Sequence, residues 1–240
     1  MSKPKITTIV VIICIFIIGL YAMGEVNYFS SKVAIERNTD QPAIIIPKIG
    51  VNEKINDVSL SQGVLHEPTS YKPLSGDVEL FGHRTLQGSP FLRLNELSVG
   101  DELLLEWPGI GEIKYTVVNS KIVPETYVLT PQQGGNYIYL ITCDPIGSTA
   151  NRLIIQGELK ATNQLNTQLL NQHPQESNAF IISIIFLAVG LLLSLIYSKD
   201  QRSYILAAVL IMSAILFYFC FFPIPSELIY DKIIFLNGGI

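Results

Sequence analysis

Cys143 closes the run Tyr137-Ile-Tyr-Leu-Ile-Thr-Cys143, and Asp144-Pro145 follows it directly. A thiol becomes a useful nucleophile when a base or cation favours its thiolate, and acyl transfer also needs donors for the oxyanion. The chain offers few residues for these roles. Of its three cysteines, Cys14 and Cys220 lie inside long apolar segments, which leaves Cys143 without a disulfide partner in its own domain. Of its three histidines, His173 falls in an Asn- and Gln-rich stretch, and His66 in the turn-like Leu65-His-Glu-Pro68, where no strand is expected. His83 follows the apolar run Val78-Glu-Leu-Phe81 through Gly82, so it stands at a strand's end as Cys143 does. Arg152 opens the next apolar run, Asn151-Arg-Leu-Ile-Ile-Gln-Gly157, nine positions after the thiol. If those two runs pair as neighbouring strands, the guanidinium stands at the sheet rim beside the sulfur. A cysteine in a strand is usually a small buried hydrophobe; the abrupt Asp-Pro turn and the missing partner thiol argue against that here. Asp144 reads as shaping the turn, and His66 and Arg84 as structural or surface residues.

An apolar, β-branched run that ends at a turn reads as a buried strand delivering its last residue to a rim. The folded part begins at Ala43-Ile-Ile-Ile-Pro-Lys-Ile-Gly50, with Pro47 at an edge or bend because it cannot donate to a ladder. Short strands are expected around residues 52–55, 78–82, 102–107, 113–123, 137–143 and 152–159. Turn residues separate them, including Ser75-Gly-Asp77, Val99-Gly-Asp101, Pro108-Gly-Ile-Gly111 and Gly134-Gly-Asn136. Ile113, Tyr115 and Val117 alternate with Glu112, Lys114 and Thr116, as in a strand with one wet face. Ser89 to Ser98 is predicted as a short helix, with Phe91, Leu92, Leu94 and Leu97 sharing a face. Together these segments make one all-β domain over residues 43–160, a closed barrel with a short helix, long enough to bury a single core.

Composition adds a membrane. The chain is 49% hydrophobic and only 15% charged, too apolar for an ordinary soluble domain. No charged residue occurs from Ile6 to Met23, from Ala179 to Tyr197, or from Tyr204 to Phe222. Each run is near the length of about 20 residues that crosses a hydrocarbon core as a helix. Lys3 and Lys5 precede the first run, and Lys199 and Arg202 lie between the other two, so these flanks are expected in the cytoplasm and Glu25 to Asn178 outside. The layout is then a multi-pass protein of the cell membrane: an anchor at 1–24, a juxtamembrane connector at 25–42, the extracytoplasmic barrel at 43–160, a polar spacer at 161–178, a transmembrane hairpin at 179–222 and an extracytoplasmic tail at 223–240, to which no role is assigned. Ala22-Met-Gly24 is a weak small-x-small cleavage site, but the run before it exceeds a usual signal-peptide core, so the anchor is expected to be retained. A net charge of -4 with no basic stripe leaves nucleic-acid binding unsupported, and no nucleic acid is expected as a partner. No metal-ligand cluster is visible, the acidic residues are too scattered for a calcium site, and no cofactor is expected.

Three segments carry a family resemblance. Phe81-Gly-His-Arg84, Leu140-Ile-Thr-Cys-Asp-Pro-Ile-Gly147 and Asn151-Arg-Leu-Ile-Ile-Gln-Gly157 resemble the signature segments of the sortases, membrane-anchored cysteine transpeptidases, in that family's order and spacing. The resemblance spans roughly residues 43 to 160. It implies the closed eight-stranded sortase β-barrel, with Cys143 as nucleophile, His83 as acid and base, and Arg152 as the cation that stabilises the oxyanion or positions substrate. The substrate it implies is a surface protein bearing a C-terminal sorting signal of the Leu-Pro-x-Thr-Gly type. The thiolate attacks the threonine carbonyl, a thioacyl enzyme forms, and an amine from a wall precursor or from a lysine of another protein takes the acyl group. One imidazole serves both halves by protonating the departing amine and deprotonating the incoming one. Residues 124–136 lie where sortases keep a loop over the signal, so Tyr127, Val128 and Leu129 are candidate groove contacts, with Thr142 a further candidate substrate contact beside the thiol. The chain departs from the family at Tyr139, where threonine is usual, in its two C-terminal apolar segments, and in lacking a lid motif in residues 25–42. Two other classes compete: a membrane-tethered cysteine hydrolase that trims surface proteins, and a β-domain that binds them without turnover. An L,D-transpeptidase-like enzyme is disfavoured because that signature puts its arginine almost directly after the cysteine, where this chain has Asp144-Pro145.

Overall fold

Apolar residues at every second position put one face of each strand inside a barrel, and the order of pairing decides which strand ends meet. The computed structural model describes residues 3–36, 41–85, 87–172, 175, 177–226 and 228–229; His173 and the tail beyond Ile229 lie outside them. Its strands are β1 (Ala43–Ile46), β2 (Val51–Asn56), β3 (Val64–His66), β4 (Val78–Phe81), β5 (Glu102–Trp107), β6 (Gly111–Pro124), β7 (Tyr137–Asp144) and β8 (Asn151–Asn163). They close in the order β1-β2-β3-β4-β7-β8-β6-β5. Closure leaves no free sheet edge among these strands. β2 runs parallel to β3 and β4 parallel to β7, and the other pairs are antiparallel. Leu103 and Leu105, then Ile113, Tyr115 and Val117, then Ile138 and Leu140, then Leu153 and Ile155 fill the interior in alternation. Gly157 has no room for a side chain: a Cβ there would stand 2.8 Å from the Ile138 side chain and 2.9 Å from that of Leu103.

Several expectations change. β3 is a strand of three residues that ends at His66, which is buried with its ring edge-on to Trp107 at 5.3 Å between centroids. His66 is therefore a core residue, not part of an open turn. The short helix expected over 89–98 does not form. Gln87, Gly88 and Ser89 take left-handed φ values of 52°, 74° and 46°, and only a 3-10 turn follows, at Leu94–Glu96. Phe91, Leu94 and Leu97 are buried at a spacing of three, which suits 3-10 geometry, while Leu92 is exposed.

The connector is largely helical. α1 runs unbroken from Ile6 to Glu36, because Val26 and Phe29 recur at helical spacing and are buried, together with Tyr28, against Ala179 and Leu216. The first part of the expected spacer belongs to the barrel: β8 extends to Asn163, and α2 (Thr167–Leu170), capped by the Asn166 side chain, buries Leu170 against Ala43 and Ile45. Two further helices follow, α3 (Asn178–Ile196) and α4 (Arg202–Phe221). Among the described residues, α1, α3 and α4 are long and apolar enough to cross a membrane. The chain divides into two compact units, these helices in one and the barrel with α2 in the other.

Candidate active site

Antiparallel β7 and β8 set Cys143 directly opposite Arg152. Alternation along β7 turns Ile138 and Leu140 into the core, so Cys143 shares the outer face with Tyr139 and Ile141 and is half-buried there. The guanidinium is aimed by its own loop: Arg152 Nη1 donates to the Thr149 carbonyl at 2.8 Å and to that of Asn151 at 3.2 Å. The same nitrogen donates to Cys143 Sγ at 3.6 Å.

His83 arrives by the parallel pairing of β4 with β7, in which Phe81 is opposite Ile141. The pairing continues past the strand's end. Gly82 N–H donates to the Ile141 carbonyl at 3.1 Å, and Thr142 Oγ1 donates to the Gly82 carbonyl at 2.8 Å. One more step of the same register sets His83 alongside Cys143. Gly82 cannot be a larger residue, because a Cβ there would stand 2.5 Å from the Phe91 ring. Burial pushes His83 down to about 4, which leaves the imidazole neutral near neutral pH.

Thr142 is buried and its hydroxyl donates to the Gly82 carbonyl, so it holds the two strand ends together beside the thiol. Tyr127 and Val128 are exposed and Leu129 is half-buried, on the loop that joins β6 to β7. Lys121 steadies Tyr127, with Nζ 2.8 Å from the phenol oxygen and 4.3 Å from the ring centroid. The loop is pinned at its C-terminal end. Asp77 accepts from the amides of Gln132 and Tyr137, each at 3.0 Å, and Gly135 leaves the space that its carboxylate occupies.

Arg84, set aside on sequence grounds, is the residue that sequence reasoning missed. It is only 6% exposed and ion-pairs with Asp144, Nη1 to Oδ1, at 2.6 Å. The same nitrogen donates to the Cys143 carbonyl at 3.2 Å, Nη2 donates to Asn95 Oδ1 at 2.8 Å, and Nε to the Leu92 carbonyl at 3.4 Å. Its partners lie 8, 11, 59 and 60 positions away, so no local pattern pointed to it. The available signal was its place directly after the histidine.

Among the described residues no group of three or more His, Cys, Asp and Glu side chains is placed to hold a metal ion. A thiol, a neutral imidazole and a directed guanidinium at the ends of three adjacent strands are together equipped for nucleophilic acyl transfer.

Comparison with known proteins bears on the same residues. Residues 44–160 match the family model described as the sortase domain. Sortase SrtE1 of Streptomyces coelicolor is 35% identical over 98 residues, which cover 35% of this chain and 27% of that protein, so the match spans about a quarter of the Streptomyces sequence. Among solved structures, sortase C-1 of Actinomyces oris is 31% identical with a TM-score of 0.46, over 50% of this chain and 73% of that one. Sortase C of Clostridium perfringens, solved with the C-terminal cell wall sorting motif, is 26% identical with a TM-score of 0.45, over 50% of this chain and 69% of that one.

Proposed function

The chain belongs to the sortase family through residues 44–160, and from that premise we propose that it is a membrane-held cysteine transpeptidase that cleaves a C-terminal sorting signal and joins the new acyl end to an amine. The observation that carries this reading is the register of β7 and β8, which sets Arg152 Nη1 3.6 Å from Cys143 Sγ, with β4 bringing His83 to the same rim.

In this reading Cys143 Sγ attacks the carbonyl of the scissile amide and His83 takes the thiol proton. The oxyanion forms beside Arg152, whose hydrogen bonds to Thr149 and Asn151 fix its direction before substrate arrives, so little reorganisation is needed. Collapse of the tetrahedral intermediate breaks the C–N bond, and the His83 imidazolium protonates the departing amine. The neutral imidazole left behind then deprotonates the incoming amine, which expels the thiolate and restores the thiol. No cofactor takes part. Tyr127, Val128 and Leu129 line the path of the signal. The helices α1, α3 and α4 hold the protein in the cell membrane as three spans, with the barrel on the outer side and Lys3, Lys5, Lys199 and Arg202 in the cytoplasm. The donors are surface proteins with a C-terminal sorting signal, and the acceptor is an amine of a wall precursor or of another protein's lysine.

The test is intact-mass spectrometry of the full-length protein in detergent, mixed with a pool of sorting-signal peptides and a small amine, beside Cys143→Ala, His83→Ala and Arg152→Ala. Transpeptidation gives a peptide acyl adduct on Cys143 that becomes amide product only when amine is present. An adduct lost to water alone, with amine never incorporated, makes the protein a hydrolase. Unchanged function in Cys143→Ala makes it a binding domain.

A further inference from the structure

The ion pair of buried Arg84 with half-buried Asp144 is left over from this chemistry. Neither residue is assigned a step, yet the pair touches the nucleophile's own backbone. Exposed ion pairs contribute little to stability, and buried ones often fail to recover their desolvation cost. A buried arginine with all three nitrogens engaged is therefore better explained by what it holds in place than by how much it stabilises. What it holds is specific. Two contacts reach back to the 92–95 segment, at the Leu92 carbonyl and Asn95 Oδ1, and two reach across to the end of β7, at the Cys143 carbonyl and Asp144 Oδ1. Arg84 also directly follows His83, whose carbonyl accepts at 3.0 Å from the N–H of Phe91, the residue just before that segment.

Resting on the transpeptidase reading, we propose that Arg84 is a positioning residue: by gripping the Cys143 carbonyl and the Asp144 carboxylate from a base on Asn95 and Leu92, it fixes the nucleophile's strand end relative to His83. The β4–β7 register runs to Phe81 opposite Ile141 and the Gly82 bonds extend it by one residue, and this fork ties the two chains together past that point. A small misplacement of reacting groups can cost about 100-fold in rate. Lysine keeps the charge but lacks the planar fork that serves four acceptors at once.

The experiment uses full-length protein in detergent and the variants Arg84→Gln, Arg84→Lys, Asp144→Asn, Asn95→Ala and Arg84→Gln/Asp144→Asn. Transpeptidation is measured as kcat and KM separately, and Cys143 alkylation by iodoacetamide is followed against pH without substrate. Arg84→Gln is expected to lower kcat about 10- to 100-fold with KM little changed, Arg84→Lys to recover only part of the loss, and the double variant to fall no further than Arg84→Gln alone, because both substitutions open the same clamp. A folded Arg84→Gln protein with wild-type kcat, or a double variant whose losses add, overturns the proposal. If Arg84→Gln fails to fold, Asp144→Asn and Asn95→Ala decide: each opens one arm, and wild-type kcat in both overturns it. Should the wild type acylate with no sorting peptide, the transpeptidase reading fails, and alkylation then decides alone. A slower or pH-shifted reaction of Cys143 in Arg84→Gln supports the clamp, and an unchanged profile refutes it.

Discussion

In the proposed chemistry, the order of proton transfers at Cys143 turns on the state of His83. An exposed imidazole near its ordinary pKa of about 6.5 is half protonated in mildly acidic medium; burial pushes His83 down to about 4, so the resting site holds a neutral base. Selective labelling of the histidine rings and titration by NMR, with His83→Gln to assign the signal, is expected to keep His83 neutral until the pH approaches 4. A midpoint near 6.5 would mean that the imidazole is not buried in solution. Arg152 invites a different test. Its Nη1 donates to Cys143 Sγ, so Arg152→Ala is expected to slow single-turnover acyl-enzyme formation by about 100- to 1000-fold, and Arg152→Lys to restore only a fraction because the directed fork is lost. These three residues were legible in the sequence, because each ends or opens an apolar run. Arg84 was not, because a fork that reaches Asn95 and Asp144 exists only once β4 and β7 lie side by side.

The elements that carry the site also set how it responds to pH. On β4, four residues before His83, Glu79 is only 5% exposed, and burial, followed by the charges of Glu67 and Asp77, pushes its carboxyl up to about 7. In the unfolded chain it titrates near 4.5. The folded state therefore prefers the protonated acid, and this preference, fully present below 4.5, is lost as the pH rises through 7. His83 acts with the opposite sign: its folded value lies below the unfolded one, so its contribution is fully present above about 6.5 and is lost as the pH falls toward 4. Glu79→Gln is expected to raise the melting temperature of the protein in detergent at pH 8, where the wild type buries a charge, and to change it little at pH 4.5. An equal gain at both values would remove ionisation as the cause. The strands were mostly readable because alternation and turn residues mark β5 to β8 plainly. β3 was not, since three residues are too few to show a period, and its place comes from pairing with β2 and β4. The helix expected at 89–98 failed for a backbone reason, because three successive left-handed residues, Gln87 to Ser89, lead into that segment and only a 3-10 turn follows among Phe91, Leu94 and Leu97.

At the scale of the whole chain, the question is whether the first helix stays attached. Three apolar runs with positive flanks were visible in the sequence, whereas the closeness of their packing was not. A Cβ on Gly19 would come within 2.5 Å of the Met212 side chain, and one on Gly190 within 2.4 Å of Val209, so α4 lies tight against both α1 and α3 at glycines. Polar contacts tie α1 at both ends. Near its start, Thr8 Oγ1 lies 3.2 Å from the Tyr197 hydroxyl, and the Lys5 amide donates to Gln201 Oε1 at 3.0 Å. Toward its far end, Asn27 makes a reciprocal pair with Ile224: its amide donates to the carbonyl, and its carbonyl oxygen accepts from the N–H, each at 2.9 Å. In a membrane such side-chain bonds are retained, because the alternative is an unsatisfied polar group. The small-x-small site Ala22-Met-Gly24 lies between these ties, inside the unbroken helix, with Ala22 and Met23 packed against the cluster of Val26, Phe29 and Leu216. Cleavage there would cut α1 inside its unbroken hydrogen-bonded helix, in the middle of its packing. The protein extracted from membranes is therefore expected to give an intact mass that includes Ile6 to Met23. A wild-type mass that starts after Gly24 would show that α1 is a leader, and would leave the barrel held by α3 and α4 alone.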